Sequence, residues 1–391
     1  MKKLGFVTPW YGEKIPGGAE MELRGLVHHL HAAGVELEVL TTCVKDFYTD
    51  WTKNYHKPGL SDEAGIKVRR FPVQKIDMTE FGAVNYKLMN NMRVSAGEER
   101  IYISQSVNSQ ELYDYIKEYE DEYHAFIFIP YMFGTTYYGC MACPQKAILI
   151  PCLHDESYAY MGIYNEAFSR IKGIIYHAQP EYDLANRIYD LSKVKQAVLG
   201  EGLDTDISGD PQRFRDRFEI QEPFILYAGR KDSGKNVDTL VRYFEAYKKR
   251  NQSLLKLVLI GGGEIEVPES IKDSVIDLGY VETQEKYDAC SAALLLCQPS
   301  MNESFSLVVM ESWLCGRPVL VHEACNVTSY FAKTVGGGLY FKNYLDFEGC
   351  INYIVDHGQI AEQMGENGKK FVKDNFSWDV IVKRYMEFFA Q

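Results

Sequence analysis

The sequence predicts an α/β protein with two parallel-sheet domains in tandem. Three observations carry that expectation. Short apolar runs alternate with helical patterns along most of the 391 residues, which is the signature of repeated βαβ units. Several of the runs are apolar throughout rather than alternating, as strands covered on both faces are. The pattern also stops in a polar stretch at 201–222 and restarts at Phe224. A chain of this length suits two domains, each large enough to bury its own core.

In the first half the strand candidates are 4–8, 36–41, 67–72, 125–130, 147–153, 173–177 and 196–199, with helices expected at 19–33 and 181–190. In the second half strands are expected at 224–228, 255–260, 275–278, 293–297 and 318–321. Helices are expected there at 236–249, 284–292, 305–315 and 359–373.

Composition narrows the function classes. Hydrophobic residues make up 46% and charged residues 25%, which is ordinary globular composition. The net charge is −12 and neither half is basic. A nucleic-acid partner is therefore not expected, because phosphate neutralisation needs a basic surface. Lys67, Arg69 and Arg70 beside Phe71 form a local basic cluster; it reads as a solvated strand edge, with a lipid-headgroup site as the weaker alternative. No run approaches the roughly 18 apolar residues of a membrane span. The first apolar run ends at Thr8-Pro9, too early for a signal peptide. Nine scattered cysteines suit reduced thiols and a cytoplasmic location. The lone Cys140-Met141-Ala142-Cys143 has no second pair to complete a metal site.

Ligands of open α/β sheets bind at the carboxyl ends of the strands, so the loops there carry the chemistry. After the strand at 224–228 come Gly229, Arg230 and Lys235. The two cations offer a planar fork and a compact charge to a diphosphate, and the glycine allows a tight turn. An ordinary loop with surface cations is the alternative. Gly261-Gly262-Gly263 follows the next strand and admits either a ligand or a tight turn. No G-x-G-x-x-G is present there, which argues against a dinucleotide cofactor.

The third segment, 299–311, is the most informative. Glu303 lies in a loop and Glu311 is expected about two turns into the following helix. The amides of Ser304, Phe305, Ser306 and Leu307 would form that helix's N-terminus, which attracts phosphate by hydrogen bonds and dipole. One carboxylate can then hold sugar hydroxyls and the other ribose hydroxyls. Glu311 sits within an apolar run and needs a partner if buried.

Continued through Cys315-Gly316-Arg317-Pro318-Val319, this segment resembles the signature of glycosyltransferase family 4. That pattern is a Glu, seven residues, a second Glu, then a small residue and Gly-x-Pro-Val. Pro16-Gly17-Gly18-Ala19-Glu20 is similar to the family's N-terminal glycine loop. Gly229, Arg230 and Lys235 are similar to its Gly-Arg…Lys element, and Phe376-Ser377-Trp378 to its C-terminal crossover. The sequence departs from the pattern at Ser304-Phe305-Ser306, where Gly-Phe-Gly is usual, and at Glu201-Gly202-Leu203-Asp204, where Asn-Gly-Val-Asp is usual. Asp204-Thr205-Asp206 spells D-x-D, but its place in the linker argues against a metal.

The resemblance implies the GT-B fold: two Rossmann-like domains facing each other across a cleft. Residues 1–200 would be the acceptor domain, completed by a helix at 376–391 that crosses back, and 201–375 the nucleotide-sugar domain. It implies retention of anomeric configuration, with no cofactor and no metal. The donor would be a UDP- or GDP-linked hexose or related sugar, and the acceptor a saccharide or lipid-linked saccharide. Arg230, Lys235 and the helix start would neutralise the departing diphosphate. Glu303 would hold sugar hydroxyls, Glu311 the ribose, and His154 would position the sugar. Backbone at Gly229, Gly262, Tyr280 and Val281 would complete the donor site. Gly17, Gly18 and Glu20 would form the acceptor and phosphate loop. Tyr131, Phe133, Tyr137, Tyr138, Tyr158, Tyr160 and Tyr164 either stack on sugars or pack internally. A nucleotide-sugar epimerase and a catalytically inactive sugar-binding relative stand as alternatives. Peripheral membrane contact and oligomeric state stay open.

Overall fold

A computed structural model describes residues 2–390, so Met1 and Gln391, the expected ends of the first domain and of the closing helix, lie outside the described residues. The chain divides into two compact units. One runs up to Gly202 and takes in the residues from Ile381 on; the other is Leu203–Val380.

The first unit holds an eight-stranded sheet: β1 (Lys3–Val7), β2 (Leu37–Thr42), β3 (Gly59–Glu63), β4 (Ile66–Phe71), β5 (Tyr123–Phe128), β6 (Ala147–Leu149), β7 (Gly173–Tyr176) and β8 (Lys195–Val198). Their order is β3-β4-β2-β1-β5-β6-β7-β8. Pairing is parallel except between β3 and β4. The central strands are buried along their length, with Leu4, Phe6, Val39, Leu40, Phe126 and Ile127 fully shielded. Uniformly apolar runs therefore mark strands covered on both faces.

β3 has no counterpart among the expected strands. Its sequence, Gly-Leu-Ser-Asp-Glu, is polar and largely exposed, so it carries no apolar signal; register with β4 holds it in place. Its presence overturns the reading of 67–70 as a solvated edge or lipid site. Arg69 Nε donates to Glu38 at 2.7 Å. Arg70 is buried, pairs with Glu63 and donates to the Tyr11 carbonyl at 2.9 Å. Helices Met78–Met89, Ala96–Ser104 and Gln110–Glu118 lie where the apolar pattern predicts none. Each starts on a capping side chain, Asp77, Ser95 or Ser109, which satisfies backbone donors that would otherwise be orphaned. The final helix, Trp378–Ala390, ends against the first unit. Lys195 Nζ donates to the Phe388 carbonyl at 2.6 Å and lies 4.1 Å over its ring.

The second unit holds six parallel strands: β9 (Phe224–Ala228), β10 (Lys256–Ile260), β11 (Val275–Gly279), β12 (Leu295–Gln298), β13 (Val319–His322) and β14 (Gly338–Phe341). Their order is β11-β10-β9-β12-β13-β14. The polar stretch at 201–222 is not linker throughout. It contains the helix Pro211–Phe218, whose start is capped by Asp210 accepting from the amides of Gln212 and Arg213 at 2.9 and 3.1 Å. The buried Phe214 ring packs 5.4 Å from Phe224. Among the described residues no helix is long and apolar enough to cross a membrane.

One seam in this unit fixes the helix Leu307–Leu314. Trp313 Nε1 donates to the Gly337 carbonyl at 2.7 Å. The long helix Gly358–Phe376 lies against it at two glycines. A Cβ at Gly365 would stand 2.1 Å from the Gly316 carbonyl, and one at Gly368 would stand 2.1 Å from the Trp313 ring. Gly368→Val is therefore expected to destabilise the protein by about 1–3 kcal/mol through overpacking. Thermal unfolding would show this as a lower Tm, whereas an unchanged Tm would contradict the seam.

Candidate active site

The loops that follow β9, β10, β11 and β12 gather at the carboxyl edge of the second sheet. After β9, Gly229 takes φ 156° and its amide donates to the Ile260 carbonyl at 2.9 Å. Arg230 follows, its guanidinium 3.3 Å from Asp232. Asp232 in turn accepts from the Lys235 amide at 3.1 Å. Lys235 Nζ donates to Glu303 Oε1 at 2.7 Å, joining the loop after β9 to the loop after β12. Asn236 stitches the same two loops, its amide donating to the Pro299 carbonyl at 3.0 Å. Glu303 is well shielded, with 11% of its side chain exposed. Its charge-assisted bond to Lys235 is accordingly stronger than a surface pair.

The glycine run after β10 has a packing cause. A Cβ at Gly261 would lie 2.1 Å from the Gly229 carbonyl, and one at Gly262 would lie 2.4 Å from the Tyr280 hydroxyl. Gly229, Gly262 and Tyr280 thus come together as expected, and the glycines admit neighbouring loops as well as leaving space above them. Tyr280 is 83% exposed, and Val281 follows it. Two residues outside the expected set hold this cluster. Lys231 is buried, its amide donates to the Gly262 carbonyl at 2.7 Å, and its ammonium donates to Asp277 on β11 at 2.5 Å. The only trace of this pair in the sequence is a lysine within a cationic loop and an aspartate within an apolar run; their separation of 46 positions hides the contact.

The helix after β12 begins at Leu307 rather than at the expected Phe305. Ser306 takes a left-handed φ of 77° and interrupts it. Glu311 is consequently the fifth helical residue, about one turn in instead of two. The partner it requires is Lys286, whose Nζ donates to Glu311 Oε1 at 2.5 Å from the helix Thr283–Ala292. Lys286 was not among the expected site residues, because its helix is separate in sequence and gives no spacing signal. Phe305 departs from expectation too. Its ring is buried edge-on to Phe331 and Phe376, at 5.7 and 4.8 Å, so its side chain is not available to a ligand. Ser304 precedes it in the loop. The Ser306 hydroxyl is buried without a hydrogen-bond partner among the described residues, and no side chain caps the helix start.

In the first unit, Gly17 (φ 138°) caps the helix Gly18–Ala32. Glu20 folds back over it, and Trp10 Nε1 donates to Glu20 Oε1 at 2.6 Å. The Glu20 carboxylate is thereby an anchor of the loop. His154 Nδ1 lies 3.5 Å from Glu156 Oε1, to which the buried Tyr131 hydroxyl donates at 3.4 Å. Glu156 is a further residue the sequence reading passed over, although it stands two positions from His154. The aromatic candidates divide. Tyr131, Phe133, Tyr137 and Tyr164 belong to the buried core, and Tyr138 and Tyr158 pack against it. Tyr160 is exposed and hydrogen-bonds Asp155 at 2.7 Å. Internal packing therefore explains six of the seven. Cys140 and Cys143 are buried, and burial pushes both thiols up, which removes the reactive thiolate.

Residues 210–371 match the family model described as glycosyl transferases group 1. Over this segment, which is less than half of the chain, the sequence is similar to the group 1 glycosyl transferases. The match takes in Gly229, Arg230, Lys235, Glu303 and Glu311. An uncharacterized glycosyltransferase of Methanocaldococcus jannaschii is 23% identical to this one, over 97% of this chain and 96% of its own. The fold is GT-B, as in solved structures of similar proteins. The sucrose-phosphate synthase of Thermosynechococcus elongatus superposes with a TM-score of 0.72 at 17% identity, covering 100% of this chain and 99% of that one. Anabaena HepE in complex with UDP-glucose superposes at 0.69 and 15% identity, covering 100% of both chains.

The left-handed Ser306 carries a measurable cost. A side chain at positive φ is disfavoured by about 1–2 kcal/mol relative to glycine. Ser306→Gly is expected to raise the Tm, and Ser306→Val to lower stability by about 1–2 kcal/mol. A valine variant as stable as the parent would contradict the left-handed turn.

Proposed function

We propose that this protein is a group 1 glycosyltransferase that transfers a hexose or related sugar, with retention, from a UDP- or GDP-linked donor to a saccharide or lipid-linked saccharide. Membership of glycosyltransferase family 4 belongs to the same reading. The observation that carries it is the Lys235–Glu303 pair beside the uncapped helix start at Leu307. A cation, a shielded carboxylate, the amides of a helix start that no side chain caps and a buried hydroxyl are what a diphosphate with a sugar attached requires.

In the proposed complex the diphosphate takes Lys235, Arg230, the Ser306 hydroxyl and the helix-start amides. Glu303, freed from Lys235, accepts hydrogen bonds from the sugar. Glu311 binds the ribose hydroxyls while Lys286 holds it in place, and backbone near Tyr280 and Val281 reads the base. His154, oriented by Glu156, positions the sugar, and the loop at Gly17 and Gly18 serves the acceptor. The bond from the anomeric carbon to the phosphate oxygen breaks as the acceptor oxygen attacks from the same face. The acceptor's proton passes to the departing phosphate oxygen. Fixed positive charge stabilises that oxygen as its charge grows, so transfer needs no metal.

HepE was solved with UDP-glucose, which makes a UDP-hexose the first donor to try. An epimerase on the same plan would turn over donor without an acceptor alcohol, and an inactive relative would release no nucleotide. A panel of nucleotide sugars scored by thermal shift would identify the donor. Lys235→Ala and Arg230→Ala are each expected to lower turnover of that donor by about 10²–10³-fold, the loss of one preorganised donor. Unchanged nucleotide release in both variants would overturn the diphosphate assignment.

A further inference from the structure

The first unit has a second polar cluster at its strand ends, set among three different elements. Glu22 lies on the helix Gly18–Ala32, Cys152 in the turn after β6, and His177 directly after β7. Glu22 and His177 are buried and Cys152 partly so. His177 Nε2 lies 2.6 Å from Glu22 Oε1, and Cys152 Sγ lies 3.8 Å from Glu22 Oε2. One nitrogen, one sulfur and one carboxylate oxygen all fall within 4.8 Å of one another. Behind the imidazole stands the buried Glu181. Its Oε2 is 3.5 Å from His177 Nδ1 and accepts from the His177 amide at 2.7 Å, while Oε1 accepts from the Leu153 amide at 2.6 Å. Glu201 adds another buried carboxylate to the field at the ring.

We propose that Glu22, Cys152 and His177 form a binding site for a divalent transition-metal ion of the zinc class. The donor set decides the class: thiolate, imidazole and carboxylate together suit zinc and not magnesium or calcium. Donors around a tetrahedral zinc stand roughly 3.3–3.7 Å apart. The Cys152–Glu22 spacing, 3.8 Å, is just above that range. The His177–Glu22 spacing requires the carboxylate to rotate by less than about 1 Å. Glu181 Oε2 stands 3.5 Å behind Nδ1, too long for a hydrogen bond, and a small ring rotation on metal binding would bring it into the contact that orients a metal-bound imidazole. A metal takes a neutral imidazole nitrogen and a thiolate, so entry of the ion sends the Nε2 proton of His177 and the Cys152 thiol proton to solvent, and the dication replaces them. Such an ion clips a helix, the β6 turn and the end of β7 together. Cys152 stands two residues before His154, so the clip fixes the root of that loop. This site lies within one unit, takes no part in the proposed transfer step and stands whether or not a sugar is transferred.

The test uses the full chain, stripped with a chelator and titrated with Zn²⁺ in competition with a chromogenic chelator, then with Co²⁺ followed by absorbance. The expected result is one Zn²⁺ per chain and a thiolate-to-cobalt charge-transfer band. Cys152→Ser should abolish the band, and Glu181→Gln should weaken Zn²⁺ binding by about 10–100-fold. Zn²⁺ should raise the Tm of the parent and not of Cys152→Ser, with circular dichroism checking that the variant is folded. Two outcomes would overturn the proposal. One is a parent that binds no Zn²⁺; the other is binding unchanged in both Cys152→Ser and Glu22→Gln, which would assign the ion to other thiols.

Discussion

The candidate site depends on an ion pair that joins two loops far apart in sequence. Lys235 follows β9 and Glu303 follows β12, and these strands are neighbours only because the sheet order places β12 beside β9. The order reverses at this point, so the loops after β9 and β12 lead their chains away in opposite directions. A crevice at such a switch point is where open α/β sheets bind ligands. A single pair in that position has two consequences. It neutralises a shielded carboxylate that would be costly alone, and it keeps a cation at the loop that leads into the next helix. Sheet topology and site electrostatics are thus one constraint.

The same loops explain why the glycines sit where they do. Three strand ends crowd together: a Cβ at Gly229 would meet the Tyr227 side chain, one at Gly261 the Gly229 backbone and one at Gly262 the Tyr280 ring. The sequence allowed both a turn and a ligand bed at 261–263, and the packing shows that a turn is needed in any case. Lys231 and Asp277 complete the crowding by tying the loop after β9 to β11. The charged residues of this edge therefore work in pairs: one holds the frame, and the others face the space above it.

Much of the fold was legible because buried parallel strands leave uniform apolar runs. All twelve expected strands correspond to strands of the structure, with ends shifted by up to four residues, the largest shift at β6. Part of what escaped notice lacked that signal, although β14 and the helices Asn326–Val335 and Tyr344–Asp356, which are partly apolar, were missed as well. β3 is polar and exposed, the helices between β4 and β5 are marked by their side-chain caps, and the helix Pro211–Phe218 is short and highly charged. At the site, residues within one motif were legible and their partners were not. Lys286, Asp277 and Glu156 matter through contacts that spacing cannot reveal, since each lies on another element or in a loop whose turn brings it back.

Ser306 shows how a departure from a family pattern can be read physically. The backbone there is left-handed, the conformation in which glycine has no penalty. A serine accepts strain at that point. In return it places a hydroxyl in a buried position at the start of an uncapped helix, without a partner among the described residues. An unsatisfied buried hydroxyl costs free energy of the same order as the strain, so the fold alone gains from neither. Both costs become reasonable if a ligand oxygen takes up the hydroxyl together with the helix-start amides. The residue that departs most from the expected glycine pattern is therefore an argument for an anion at this helix and not against one.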